Sequence, residues 1–461
     1  MKRTASIGVA AVVLFIGYWV LLANQSKPQH PLRQGREEVV FWHFWGGADR
    51  QVVEDVVERF NRSQDKQFVR AIAMPGNNLD LKLFLAITGG DPPDVVNQDD
   101  PIVADWAHRG ALTPLDELAS QGEIERLKKW LFPAARKLGT YQDRLYGLCN
   151  GLDIRALYYN KTWLEEFKLA PPATVEELTR ITNTITPADS QTPQRFGYLP
   201  DPRRLWAWGV VFGGEFYSDQ TQQLTCNDPA IVAALGWMTS FSKKYGRQTV
   251  MSFRQGDQSL PGKTFPLLPI EPQSTHGRYA VLMDGQWRVR DVESWLVHRR
   301  KEGLPTVEFG VCPLPAPASG RGRQRAGWVN GNFFLVPKNA RNPAGAWEFM
   351  KFWSGFAGHE KAAAKTAVAG GWIPVSQSIV DRVEFQSYLK DHRLFAKFVD
   401  LAGSPNQFPV PVIPGAPRLN RELKAIGTQA INSPQRSSQQ LLDEANARLQ
   451  LHIGRIQEPS H

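Results

Sequence analysis

The chain has 461 residues, 42% of them apolar, with 15 Trp and 24 Phe. That is ample for large cores, so a disordered chain is excluded, and the length fits about three domains or two larger lobes. The formal net charge is +9, but the basic residues are scattered and the densest run is Arg321, Arg323 and Arg325 in a Gly-rich loop; without a recognition motif beside them, nucleic acid is not an expected partner.

Met1-Lys2-Arg3 and the apolar run over residues 7–22 predict an export signal at residues 1–23. Leu21 stands where a cleavage site wants a small residue, so an uncleaved anchor is the alternative, although the run falls short of a comfortable span of ~20 residues. No Cys follows it, which leaves out a bacterial lipoprotein signal. Either way the body is expected outside the inner membrane, in the periplasm or at the outer face of the cytoplasmic membrane. Residues 24–38, with Pro28 and Pro31, are expected to form a linker, and residues 456–461 a tail.

Residues 39–45 are β-branched and aromatic and predict a buried strand; Gly46-Gly47 breaks it. Val52, Val53, Val56, Val57 and Phe60 then share one helical face. A strand, a glycine turn and an amphipathic helix open an α/β domain, in which ligands gather beyond the carboxyl ends of strands. Trp45 is therefore a candidate platform for a sugar ring, while Trp42 and Phe44 suit the core. A second strand is expected at 67–73, a helix at 79–87, and a short strand at 94–97 whose polar end, Asn97, Gln98 and Asp99, is a second candidate for the crevice. Helices are expected at 102–107, from 112 and over 132–138. Two strand-like runs, 145–149 and 156–159, flank a polar kink at 150–155. Asn160 opens a helix, and Thr174 with Glu177 forms a capping box. Residues 203–212 hold Trp206 and Trp208, a helix runs from Pro229 to Tyr245, and 250–277 reads as irregular. Strands at 278–283, 309–315 and 332–336, a helix at 343–353 and a helical end over 419–451, broken at Ser433-Pro434, complete the chain. There is no internal repeat. Three cysteines, Cys149, Cys226 and Cys312, are too few for a disulfide scaffold.

Several stretches together resemble a known family: Phe41-Trp42-His43, Gly90-Asp91-Pro92-Pro93-Asp94-Val95-Val96, Leu157-Tyr158-Tyr159-Asn160-Lys161 followed by Pro171-Pro172-Ala173-Thr174, and Ala280-Val281-Leu282-Met283-Asp284-Gly285-Gln286-Trp287. Phe309-Gly310-Val311-Cys312-Pro313-Leu314-Pro315, Ala344-Gly345-Ala346-Trp347-Glu348-Phe349 and Gly371-Trp372-Ile373-Pro374-Val375 follow in order. Each piece alone is weak; in sequence over nearly all of 39–450 they resemble the family 1 extracellular solute-binding proteins of bacterial ABC importers, of the maltose-binding type. The resemblance implies an α/β, two-lobe periplasmic-binding-protein-like fold (type II), with lobes discontinuous in sequence and joined by a hinge. Lobe one would take 39–149 with 315–378, and lobe two 150–314 with 379–455. Crossings would fall near 148–156, near 309–314 and after 371–374. Two crossings side by side would bring Cys149 and Cys312 together, a pairing that a Cα separation beyond ~7 Å excludes.

A sugar presents hydroxyl edges and apolar CH faces, so its site needs polar groups around the rim and aromatic planes above and below. Trp45, Asn97, Gln98 and Asp99 are the candidates from lobe one. The resemblance implies Trp287 and the Trp206/Trp208 segment from lobe two. Trp328, Asn330 and Trp372 are further candidates near strand ends, and Asp153 and Arg155 sit in the crossing. For any single Trp, core packing is the commoner fate. Residues 414–422 match a ligand-facing turn of the family but lack its aromatic residue, which leaves the sugar open. The resemblance implies a monomer without cofactor that binds a mono- or oligosaccharide and hands it to an ABC importer permease. The rivals are a secreted carbohydrate-active enzyme, which would need two carboxylates about 5–10 Å apart across one cleft, and a membrane-tethered sugar sensor. Asp99 and Asp153 are the only carboxylates suggested for the first, without a motif. Gly256 stands one residue too far from Gly262-Lys263-Thr264 for a phosphate loop, and the nine His and three Cys show no metal-ligand spacing.

Overall fold

The computed structural model describes residues 30–74, 79–186, 193–261 and 264–457. The leader or anchor expected at 1–23 lies outside the described residues, as do the start of the linker and residues 458–461. Among the described residues no helix is long and apolar enough to cross a membrane.

The chain opens as the pattern dictates. Strand β1 (Glu37–His43) runs into helix α1 (Gly47–Ser63), whose Val53, Val56, Val57 and Phe60 are buried against the sheet. Strand β2 (Gln67–Ala73), helix α2 (Leu79–Thr88) and strand β3 (Val95–Asp99) follow, and β1 pairs in parallel with both β2 and β3. Next come the short helix α3 (Val103–His108), then α4 (Gln121–Trp130) and α5 (Pro133–Gly139). The helix expected from 112 is a 3₁₀ turn at Leu115–Glu117, because Ser120 caps α4 and starts it later.

The two strands expected about a polar kink are one strand, β4 (Gly147–Asn160). The polar stretch stays extended because its groups are satisfied: Asn150 accepts a hydrogen bond from Asn97 (3.1 Å), and the Ile154 N–H donates to the Gln286 side-chain oxygen (3.1 Å). What remains of the kink is a bulge, for Asn332 lies opposite Gly151 and Phe333 opposite Cys149, leaving Asn150 unopposed. Beyond β4 lie α6 (Lys161–Glu166) and α7 (Val175–Ile185). Thr174 caps α7 as expected, but Glu177 reaches the N–H of Ala173, one residue before the cap.

Helices α8 (Leu205–Val211), α9 (Pro229–Tyr245) and α10 (Arg247–Gln258) come next. The last replaces part of the irregular stretch expected at 250–277. It is held by Arg278, which stacks on Phe253 (4.1 Å) and donates to Asp257 (2.7 Å), a long-range anchor invisible to local pattern. Strand β5 (Val281–Gly285), helix α11 (Arg288–Lys301) and strand β6 (Phe309–Cys312) lead to β7 (Gly327–Leu335). The remainder is helical: α12 (Pro343–Ser354), α13 (Glu360–Gly370), α14 (Gln377–Val380), α15 (Val383–Asp391), α16 (Arg393–Ala402), α17 (Ala416–Asn432) and α18 (Ser438–Gln457).

An eight-stranded sheet in the order β6-β4-β7-β3-β1-β2 joins the lobes, with β5 on β4 and a two-residue strand, Gln407–Phe408, on β7. The first half of β4 pairs with β7 and the second half with β5 and β6. β4 therefore passes from one lobe to the other. β6 pairs with the far end of β4, and Ala316 then accepts from the Val175 N–H, so the strand that returns beside β4 is β7 rather than 309–314. The basic loop between β6 and β7 is held by ion pairs of Arg321 with Asp228, Arg323 with Glu215 and Arg325 with Asp400. Cys149 and Cys312 are both free thiols. Cys312 lies opposite Leu157, eight positions along β4 from Cys149, and at ~3.3 Å per residue that separation rules out the pairing.

Candidate functional site

Strand alternation sets Gly151, Asp153 and Arg155 on one face of β4. The register of β7, with Asn330 opposite Asp153, places Trp328 beside Arg155 on that same face. On the other flank Gly285 of β5 lies opposite Arg155, which brings Gln286 and Trp287 to the end of that strand. Three elements thus converge on one group.

Asp153 is held on both oxygens, by Gln286 Nε2 (2.7 Å) and by Asn330 Nδ2 (3.3 Å). Arg155 donates to the Asn330 side-chain oxygen and to the Asp153 carbonyl (3.3 Å), and its guanidinium sits 4.3 Å from the Trp328 ring centre and 4.9 Å from that of Trp287. Trp328 has Arg204 on it too, at 5.5 Å, so it orders cations rather than offering a free plane. Trp287 folds back over Gly285, where a Cβ would lie 2.2 Å from the ring.

Burial sets the electrostatics. It raises the Asp153 pKa against the attraction of Arg155 and the hydrogen bonds from Gln286 and Asn330. For Arg155 burial outweighs the attraction of Asp153 and, with Arg204 adding to it, lowers the pKa to about 10. Asp99, at the end of β3, faces this group. Its rim is open to solvent, yet desolvation by the surrounding protein and then the charge of Asp153 raise its pKa to about 6, with Arg155 and Lys424 opposing. Asp100 is buried, accepts the Gly331 N–H (3.2 Å) and is pushed well up by burial and by Asp99.

A second cluster adjoins the first along β4. Trp45 stacks on Trp353 (5.6 Å, 11°) and Trp372 (5.4 Å, 24°). Trp372 is half-buried over Gly151, and Leu152 N–H donates to Ile373 O (3.0 Å), which ties the stack to the crossing. Trp45 itself is buried, so Trp372 is the member that faces outward. Asn97 is fully buried, donating to Asn150 and to the Phe333 carbonyl (3.3 Å), whereas Gln98 accepts from the Asp99 N–H (3.1 Å).

Two candidates lie elsewhere. Trp206 bonds the Phe408 carbonyl (3.2 Å), packs on Phe216 (4.3 Å) and lines a neighbouring cavity of about 220 Å³ with Pro411 and Ile413. Trp208 is wholly buried against Trp237 and Tyr198, so the structure does not bring it to the crevice. Sequence reasoning missed Gln286, Arg204 and Lys424; only Gln286, next to Trp287, had a signal nearby. It also missed two long-range contacts, Arg290 to Asp49 (3.0 Å) and the Gly415 N–H to Asp105 (3.0 Å). Among the described residues no group of three or more His, Cys, Asp or Glu could hold a metal ion.

Comparison with known proteins agrees with this architecture. Residues 55–391 match the family model described as bacterial extracellular solute-binding protein. The chain is 22% identical over 360 residues to a maltotriose-binding protein of Pyrococcus abyssi, covering 77% of this chain and 70% of that protein. It is also 22% identical over 372 residues to an arabinooligosaccharide-binding protein of Bacillus subtilis, covering 75% and 76% respectively. Among solved structures, CpMnBP1 with mannotriose bound superimposes with a TM-score of 0.71 at 21% identity, over 90% of this chain and 100% of that one. The sugar-binding protein MalE of Xanthomonas citri gives 0.71 at 18% identity, over 91% and 98%. With the family model covering most of the chain, this protein belongs to the bacterial extracellular solute-binding proteins.

Proposed function

We propose that the protein captures an oligosaccharide between its lobes outside the cytoplasmic membrane and delivers it, as a monomer, to an ABC-type importer permease. The observation that carries this reading is the group on β4: Asp153 and Asn330 fixed as hydrogen-bonding partners beside the half-buried planes of Trp287 and Trp372. It suits hydroxyl edges and CH faces together. Named relatives that bind maltotriose and arabinooligosaccharides favour an oligosaccharide. The ligand-contact set becomes Gln98, Asp99, Asp153, Asn330, Trp287 and Trp372, with Trp45, Asn97 and Trp328 supporting it from behind. Lobe one is taken as residues 39–149 with β7 through 378, and lobe two as the rest of 150–455. A ligand touching both walls shifts the population toward closure, which the permease reads.

The reading is of a binding protein and not an enzyme. Both oxygens of Asp153 are held by amides, which suits a fixed acceptor better than a nucleophile or proton shuttle. A thermal-shift screen of the full chain with mono- and oligosaccharides tests it. A rise in Tm with an oligosaccharide that is recovered intact is the expected result; turnover of the sugar, or no shift with any saccharide, rejects it.

A further inference from the structure

The lobe-two side of the crevice carries more positive charge than its carboxylates answer. Arg203 and Arg204 stand in a 3₁₀ turn, Pro202–Arg204, against which α17 packs so closely that a Cβ on Gly427 would meet the Pro202 carbonyl at 1.9 Å. That contact sets Lys424, one turn earlier on α17, beside the same wall. The carboxylate that caps the turn, Asp201, is taken by Arg203 at 2.8 and 3.1 Å and accepts the Arg203 N–H as well. Arg204 Nε lies 3.6 Å from the same carboxylate, an ion pair shared with Arg203 but outside hydrogen-bond distance, and this buried Nε makes no hydrogen bond. The half-buried Lys424 amine makes no hydrogen bond or ion pair among the described residues. Arg155 completes the set, with a buried Nε that is also unpartnered. Burial, and then Arg204, Arg203 and Arg155, lower the Lys424 pKa, as expected where cations crowd one another.

Across the gap, Asp153 is engaged by Gln286 and Asn330, and Asp99 attracts Lys424 through space but hydrogen-bonds neither it nor Arg204. Keeping Lys424 half-buried without an acceptor, and Arg204 with only a shared ion pair, is costly unless a ligand supplies one. Trp328, with Arg155 at 4.3 Å and Arg204 at 5.5 Å from its ring centre, holds both guanidinium groups in place for an oxyanion.

We propose that the crevice takes an anionic saccharide, one bearing a carboxylate or phosphate group, and that Arg204 and Lys424 hold its charge. This rests on the reading of the crevice as a saccharide site. The neutral part of the sugar lies against Asp153, Asn330 and Trp287, and the anionic group points to α17.

The test is calorimetric titration of the full chain with digalacturonate and trigalacturonate, with glucose 6-phosphate, and with neutral maltotriose and mannotriose. The expected result is binding of a galacturonate or the phosphate ester at least tenfold tighter than of either neutral sugar, weakened at least tenfold by 0.5 M NaCl and by Lys424→Met or Arg204→Gln. The salt arm needs no variant, so a misfolded substitution leaves the test intact, and the acid that binds names the group. Neutral sugars binding as tightly as acidic ones overturns the inference while leaving the saccharide reading standing. Acidic binding indifferent to salt and to both substitutions overturns it too. No binding by any of the five overturns both.

Discussion

Arg290, in the first turn of α11, donates to Asp49, in the first turn of α1, at 3.0 Å. On the proposed division of lobes the two helices face each other across the crevice, so opening it is expected to break this contact. Both side chains keep more than a third of their surface exposed, and an exposed pair is worth roughly 0.2–1 kcal/mol. Asp49→Asn should therefore loosen the bound saccharide by no more than about fivefold, the free-energy equivalent of that range. The loss should vanish at high salt. Titration at 0.02 and 0.5 M NaCl checks it; a loss that persists at high salt would assign Asp49 to the ligand instead.

Arg155 has a larger task. It is buried, bonds Asn330, and spaces two indoles. Arg155→Met keeps the bulk but leaves the Asn330 oxygen unpaired and Asp153 without its neighbouring cation. The expected cost is about 1–3 kcal/mol of stability, with saccharide binding falling more than tenfold. Arg155→Lys keeps the charge without the planar fork and should recover only part of the binding. Denaturant melts of both variants beside their affinities decide this; full binding by Arg155→Met would remove the residue from the site.

The Asp99 carboxyl gives a pH signature. Its folded pKa of about 6 lies above the ordinary carboxylate value. Between those two values the folded state holds a proton that the unfolded state has released. Stability from this group is therefore fully present below pH ~4 and is lost as pH rises through about 6. The groups facing it are Asp153, which raises the shift, and Arg155 and Lys424, which reduce it. Asp99→Asn should flatten that decline. Tm measured from pH 4 to 7, without ligand, should fall less with rising pH in the variant than in the parent chain; identical slopes would show that Asp99 is solvated in solution.

The sequence made the architecture legible where local chemistry and tertiary need coincide. The alternating and helical patterns around Val39, Val53 and Phe60 found the opening unit, and Asp228-Pro229 found the start of α9. Fidelity failed where distant partners decide. Residues 150–155 look like a kink until Asn97, Gln286 and Asn330 satisfy them, and 250–258 look irregular until Arg278 clamps them. Trp206 and Trp208 were indistinguishable by neighbourhood, since both lie on α8 two positions apart. Helical geometry then turns one toward a cavity and the other into the core. The cations Arg204 and Lys424 carried no local signal, because what makes them notable is a shared wall built by residues more than 200 apart.

Gly285 offers the sharpest test of how Trp287 is placed. It ends β5 opposite Arg155, and the Trp287 ring lies where a Cβ would go, 2.2 Å from two ring atoms. No real Cβ tolerates that approach, and the backbone cannot yield easily because α11 begins at Arg288 and β5 is locked to β4. Gly285→Ala must then swing the indole away from Arg155. Saccharide binding should fall at least tenfold, with a stability loss of about 1–3 kcal/mol from overpacking. Trp287→Ala removes the obstacle along with the ring, so adding Gly285→Ala to it should cost little further stability. A double-mutant cycle on the melts reads this coupling directly. If the two losses add instead, the ring does not rest on Gly285 in solution, and Trp287 is free to meet the ligand in another pose.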